Sequence, residues 1–259
     1  MPTDELRLSG YREALGLWTR PSPRVASHPT LRVEEIEYSS RGDRVTGRVL
    51  LPAEGGGPYP LVLLQHGLGG SAHDASIEAM GGVWAQQGMA VASIDFPLHG
   101  QRSEAKLRSW LWSETPSPLR DDLQLEFARQ AIVDLEHGLD ALMTRDWIDH
   151  ERVGYVGFGL GARLGAAFCA LDARAGAVVL ALPGNEPLPD PADPRHFVGR
   201  IAPRPLLVVC DPVGSGDALH AAAEGSARRL DTEVRNGALP REVAEQMGRF
   251  LAETLLGRA

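Results

Sequence analysis

The sequence predicts an α/β protein, with a mostly parallel central sheet of about eight strands and helices on both faces. Three observations carry this. Short apolar runs of strand length alternate with longer runs of helical period along the chain. Runs such as Leu61-Val62-Leu63-Leu64 are continuous in apolar residues, the pattern of a strand covered on both sides. With 259 residues, 43% of them hydrophobic, the chain is long enough for one large domain over residues 1–259.

The elements follow in order. Leu31–Tyr38 and Val45–Leu51 alternate in strand fashion around Arg41-Gly42-Asp43 and read as a hairpin. The run 61–64 ends in Gln65-His66-Gly67-Leu68-Gly69-Gly70. A helix over 75–87 is closed by Gly88, and a second buried strand over 90–94 ends in Asp95-Phe96-Pro97-Leu98-His99-Gly100. Apolar residues at 119, 123, 127, 131, 135, 139 and 142 predict one long helix over 119–143. A strand (152–158), a helix (160–171) and strands over 177–182 and 205–209 come next. A helix over 217–230, a short strand over 232–235 and a last helix over 240–256 complete the pattern. Two irregular insertions, 103–118 with Trp110 and Trp112, and 183–201, are candidate lid segments above the carboxyl ends of the strands.

Composition excludes several function classes. The formal net charge of −8 gives no basic footprint for nucleic acid. The first residues lack an apolar core, so no signal peptide is expected, and no run is long enough to span a membrane. Cys169 and Cys210 have no metal-ligand spacing, and neither do His137, His150 and His196. A reduced, cytoplasmic protein without metal or cofactor is the expectation.

The segment Val156-Gly157-Phe158-Gly159-Leu160-Gly161 carries the most information. A strand precedes it and a small-residue helix follows. This is the setting of a G-x-S-x-G nucleophile elbow, with Gly159 at the serine position.

Four segments together resemble the α/β-hydrolase superfamily, and within it the dienelactone hydrolases and acetyl-xylan-esterase-like esterases. They are His66–Gly70, Asp95–Arg102, Asp146–Gly165 and Ile201–Val209, each at the expected strand end. The resemblance implies a serine nucleophile, a histidine base and an orienting carboxylate. It places the nucleophile at Gly159 and the histidine near Ala238, in Asn236-Gly237-Ala238-Leu239-Pro240. The acid would fall near Gly214, with Asp211 and Asp217 close by. The last histidine of the chain is His220, ahead of that final loop. The resemblance further implies an oxyanion hole from the backbone N–H groups of Leu160 and the Gly67–Leu68 turn. Such donors do not depend on side-chain identity.

The retained polar groups have structural readings and chemical ones. His66 would brace the oxyanion loop, and Asp95 and His99 would form a bracing network with Arg102. The same three residues are the candidates for replacement acid–base chemistry. Arg163 is read as an internal salt-bridge partner or an anion clamp, Cys210 as a buried thiol beside the pocket, and Trp110 and Trp112 as pocket cover. Ser71 and Ser215 lie in loops and read as turn residues. The leading expectation is a non-hydrolytic protein that binds a small acyl or anionic ligand at Gly67, Leu68, Gly159 and Leu160, or a protein partner. A non-hydrolytic cyclase, lyase or decarboxylase is the second reading. An esterase with a relocated nucleophile is the third.

Overall fold

A computed structural model describes residues 16–22, 30–113, 117–234 and 239–257. Nine strands form one sheet in the order β1-β2-β3-β5-β4-β6-β7-β8-β9. They are β1 Trp18–Pro21, β2 Leu31–Ser40, β3 Asp43–Pro52, β4 Tyr59–Gln65, β5 Ala90–Ile94, β6 Ile148–Phe158, β7 Ala175–Ala181, β8 Leu206–Cys210 and β9 Arg228–Asp231. The first three strands pair antiparallel, β3 joins β5 antiparallel, and all later pairs are parallel. The helices are α1 Ala75–Gln86, α2 Ala105–Leu111, α3 Pro118–Leu142, α4 Leu160–Leu171, α5 Asp217–Ala222 and α6 Arg241–Leu255.

The continuous apolar strands are explained by two cores. In β4, Leu61 and Leu63 point into a core shared with α3 and α4, while Val62 and Leu64 point into a second core under α1 and α6. Side chains alternate across the sheet, so a strand covered on both faces needs apolar residues at every position. Strand β2 divides its length differently. Leu31 and Val33 face the α1/α6 core at one end, and Ile36 and Tyr38 face the α3/α4 core at the other.

Strand order places the site. From β4 the chain steps one way to β5, then returns across to β6 on the other side. The reversal point lies between the carboxyl ends of β4 and β6, where open α/β sheets form their ligand crevice. Pairing of Gln65 with Gly157 sets the His66–Gly67 turn beside Phe158–Gly159.

The structure corrects several local expectations. The helix expected over 217–230 ends at Ala222, because Glu224 and Gly225 both take positive φ (51° and 79°) and turn the chain. The strand expected over 232–235 lies at Arg228–Asp231 instead, paired parallel with Leu207–Cys210; residue 235 is outside the described residues. Insertion 103–118 is not wholly irregular, since it carries α2, and insertion 183–201 carries two 3-10 turns, Pro194–His196 and Val198–Ile201. Strand β1 has no counterpart in the sequence reading. No described helix is long and apolar enough to cross a membrane.

Candidate functional site

Gly159 sits at the apex between β6 and α4 with φ 51° and ψ −111°. That backbone is strained for any residue with a Cβ and easy for glycine. Its N–H donates to Ala181 O at 3.0 Å, tying the apex to β7. The two flanking glycines are there for space. A Cβ on Gly157 would lie 2.3 Å from Gly161 O, and one on Gly161 would lie 2.7 Å from His66 O. The Tyr155 hydroxyl donates to Gly161 O at 2.7 Å and locks the turn from below. At Gly159 itself a Cβ would meet only Gly67 Cα at 3.7 Å and Leu182 O at 3.9 Å. A side chain would fit there sterically, so its absence is not forced by packing.

The N–H groups of Ala162 and Arg163 both reach Gly159 O at 3.1 Å. Those of Leu160 and Gly161 open the helix and have no backbone acceptor among the described residues. Leu98 and Leu182, on the neighbouring loops, hold φ of 62° and 50°. Together with Gly159 they concentrate positive-φ backbone around the crevice.

On the α3/α4 side of the apex the polar groups are committed. His66 Nδ1 donates to Gly67 O at 2.8 Å, and His66 Nε2 accepts the Phe96 N–H at 3.2 Å. Both ring nitrogens are therefore used, the ring is the neutral tautomer, and burial lowers its pKa. The Asp95 carboxylate is fully buried and accepts from Thr46 Oγ1 and the N–H groups of Ala72 and Gln101, at 2.8–3.0 Å. Arg102 bonds the Asp95 carbonyl rather than its carboxylate, and pairs with the buried Asp134 at 2.6 Å. His99 Nδ1 donates to Pro97 O at 2.8 Å. Its Nε2 is buried without a partner, and burial pushes its pKa down to about 4, so the ring is neutral near pH 7. The His99 ring centroid lies 5.2 Å from His66 and 6.0 Å from Phe127, packed among rings.

Trp112 stands edge-on to Phe127 at 5.6 Å, with the Arg163 guanidinium over its ring at 5.6 Å. Arg163 donates to Glu186 O at 2.9 Å. No carboxylate lies within ion-pair distance of it among the described residues, so the expected salt bridge is replaced by a carbonyl and a ring. Burial lowers its pKa. Trp110 is 38% exposed on α2, which is pinned by Arg108 donating to Leu98 O at 3.0 Å.

On the other side of the apex lies a cavity of about 900 Å³ between α1 and α6. Phe158, Gly159 and Leu182 form its inner end, and Met80, Val83, Trp84 and Ala244 are among the residues along its walls. Gly248 closes against Trp84, where a Cβ would meet Trp84 Nε1 at 2.8 Å. Of the residues expected at a ligand site, Gly159 lines this cavity; Gly67, Leu68, Leu160, Arg163, Trp110, Trp112 and Cys210 do not. Sequence reasoning did not find Met80, Trp84, Leu182 or Gly248. Their signal is tertiary, since α1 and α6 lie far apart in the chain.

The positions tied to the acid and the histidine are less complete. Gly214 has φ 92° in a turn after β8, where Asp211 Oδ1 accepts the Ser215 N–H at 2.8 Å. Asp217 pairs with Arg229 at 2.8 Å. Cys210 is buried, and burial pushes its thiol up to about 11. Ala238 lies outside the described residues. The Ser215 hydroxyl accepts the Gly184 N–H at 2.8 Å, and the Ser71 hydroxyl donates to Asp74 Oδ1 at 2.9 Å. Neither touches a histidine ring. His196 does gather with Asp190 and Asp193, but Asp193 is already held by Arg195.

The sequence profile of the acetyl xylan esterase (AXE1) family matches residues 22–184, more than half of the chain. The chain belongs to that family. Its matched part contains β2–β7 and the elbow and stops before β8. An acetyl xylan esterase from Paenibacillus sp. R4 superposes with a TM-score of 0.73 at 17% identity, covering 94% of this chain and 90% of that one. A cold-adapted esterase from an Arctic intertidal metagenomic library gives 0.70 at 19% identity, covering 90% and 97%. At such identities the likeness is one of fold. Esterase FrsA from Yersinia enterocolitica is 29% identical over 149 residues, 57% of this chain. The chain spans about a third of the length of the curated relatives it matches (31% and 34%).

Proposed function

We propose that this member of the acetyl xylan esterase family is a non-hydrolytic binder of small acyl or anionic ligands. The observation that carries the reading is Gly159, an elbow apex with positive φ and no side chain. No histidine follows residue 220, and the acid loop offers a glycine with φ 92° at the expected position. Removing serine or histidine from a Ser-His-Asp triad costs about 10⁶-fold in turnover, and further losses add little. What the elbow still supplies is backbone: the uncommitted first-turn amides of Leu160 and Gly161, at the positive end of a 12-residue helix. Those donors stabilise a carbonyl or carboxylate oxygen without making a bond to it.

The bonding pattern favours binding over replacement acid–base chemistry. His66 and Asp95 are saturated by neighbours, and His99 is enclosed among rings. A panel of p-nitrophenyl esters and lactones, with calorimetric titration of acetate, tests the reading. Acetate binding with ester turnover at the uncatalysed rate is the expected result. Turnover that disappears in Ser71→Ala or Ser215→Ala would instead establish a relocated nucleophile.

A further inference from the structure

We infer that two copies of this chain pair through β9, edge to edge and antiparallel about a two-fold axis, so that one sheet runs through both. The inference concerns the sheet edge and stands apart from the elbow.

Strand β9, Arg228–Asp231, is the last in the sheet, and among the described residues no strand pairs with its outer side. Its backbone orientation is fixed by β8. The Thr232 N–H donates to Cys210 O at 2.8 Å, so residue 232 turns its backbone groups inward. Such groups point alternately to the two sides along a strand, so Leu230 and Arg228 turn inward too. The N–H and C=O of Arg229 and Asp231 are left facing out. Two copies can exchange those bonds only in registers that set outward residues against each other. A parallel copy would leave a fresh edge at each step, whereas antiparallel pairing closes the assembly at two.

The side chains choose among the antiparallel registers. Setting Arg229 against Asp231 of the second copy puts opposite charges directly across at both places, with Leu230 against Leu230 on the axis. Further out Arg228 faces Thr232 and Ala227 faces Glu233, so no like charges are opposed. The neighbouring registers are worse: one sets Arg229 against Arg229, the other Asp231 against Asp231. Proteins commonly blunt sheet edges with short strands and charged residues. In β9 the two charges on one face have opposite sign, so an antiparallel copy meets its complement. Arg229 bonds Asp217 and Asp231 of its own chain, each at 2.8 Å, which holds the guanidinium at the edge. The Asp231 side chain stays 68% exposed, open to a second cation. Leu230, on the other face, is half-buried beside Leu207 and Phe250 in a cleft of about 260 Å³, where a second leucine covers it. A ladder this short makes a reversible, concentration-dependent dimer rather than a permanent one.

The test is sedimentation equilibrium of the full chain over a range of concentrations, with Arg229→Glu and Asp231→Arg variants alone and mixed. The parent is expected to dimerise reversibly. Each variant alone opposes like charges at both places and should dimerise about tenfold more weakly or worse. The equimolar mixture is expected to recover the dimer. In it the new glutamate of one variant faces the new arginine of the other, and the native pair is kept on the second side. Disturbed folding within either chain cannot produce that recovery. A parent that stays monomeric throughout would overturn the inference, and binding of a polyglutamate peptide to that monomer would assign the edge to an acidic partner instead. Variants that dimerise as the parent does, or a mixture that stays monomeric, would overturn the β9 pairing.

Discussion

The two sides of Gly159 are built on opposite terms. Toward α3 and α4, three polar groups are held by neighbours: His66 by two backbone groups, Asp95 by three donors, Arg102 by Asp134 and the Asp95 carbonyl, while His99 Nε2 is buried without a partner. Toward α1 and α6, the walls enclose open volume and are apolar near Met80, Trp84 and Ala244, with Arg241, Glu245 and Arg249 also in the lining. A side chain bound on all sides is a poor proton carrier, because moving its proton breaks bonds the fold depends on. A cavity that ends at a glycine apex is suited to holding a ligand. The comparison teaches that a polar residue at a strand end can be held in place by the fold rather than left free for chemistry. His66 and Asp95 are each bonded by neighbouring backbone groups.

The bracing side should be the harder to alter. Arg102→Met leaves Asp134 buried (0% exposed) and without its cation, and should cost about 3–5 kcal/mol in denaturant unfolding. A loss below about 1 kcal/mol would mean that the network is ornamental and its residues are free for other work. Gly157→Ala comes next. Its Cβ would sit 2.3 Å from the Gly161 carbonyl, so the elbow backbone must shift, with an expected cost of about 1–3 kcal/mol.

A separate cluster on β2, where Glu35 meets Ser22, His73 and Arg48, is acid-sensitive. Burial alone would raise the Glu35 pKa, but hydrogen bonds from His73 and Ser22 and the charges of His73 and Arg48 hold it at about 2. A carboxylate with a depressed folded-state pKa contributes stability above its unfolded value near 4.5, and that stability is lost as pH falls toward 2. Glu35→Gln should therefore flatten the stability profile between about pH 5 and pH 2, by roughly 2–3 kcal/mol. An unchanged acid limb would show that another group governs it.

The apex carries a comparable, purely conformational effect. The Cβ of a Gly159→Ser variant would meet nothing closer than 3.7 Å, and the positive φ opposes it, at about 1–3 kcal/mol. It should lower the melting temperature slightly and restore no ester turnover. A melting temperature unchanged or raised would remove the strain argument for this position.

How much of this was legible in the sequence differs between the two sides. Continuous apolar strands and the glycines around residue 159 are local signals, and they give the sheet, the elbow and its place at the end of β6. Strand β1 is four residues long and largely exposed, so it leaves no periodic trace. The α5–β9 boundary was obscured because a helix-like run continues past Gly225, where backbone conformation and not hydrophobicity ends the helix. The bracing role of His66 and Asp95 could be anticipated from their strand-end positions, but the partners could not. Arg102 reaches Asp134 across 32 residues of sequence. The groove was invisible because its walls, near residues 80 and 244, meet only in the folded chain.

The most direct test of a hydrolase scaffold without a nucleophile is labelling of the purified protein with a fluorophosphonate, which reacts covalently with activated serine, followed by intact-mass measurement. The account predicts no adduct on the wild-type chain. A stoichiometric adduct mapped to Ser71, Ser215 or any other serine would contradict it.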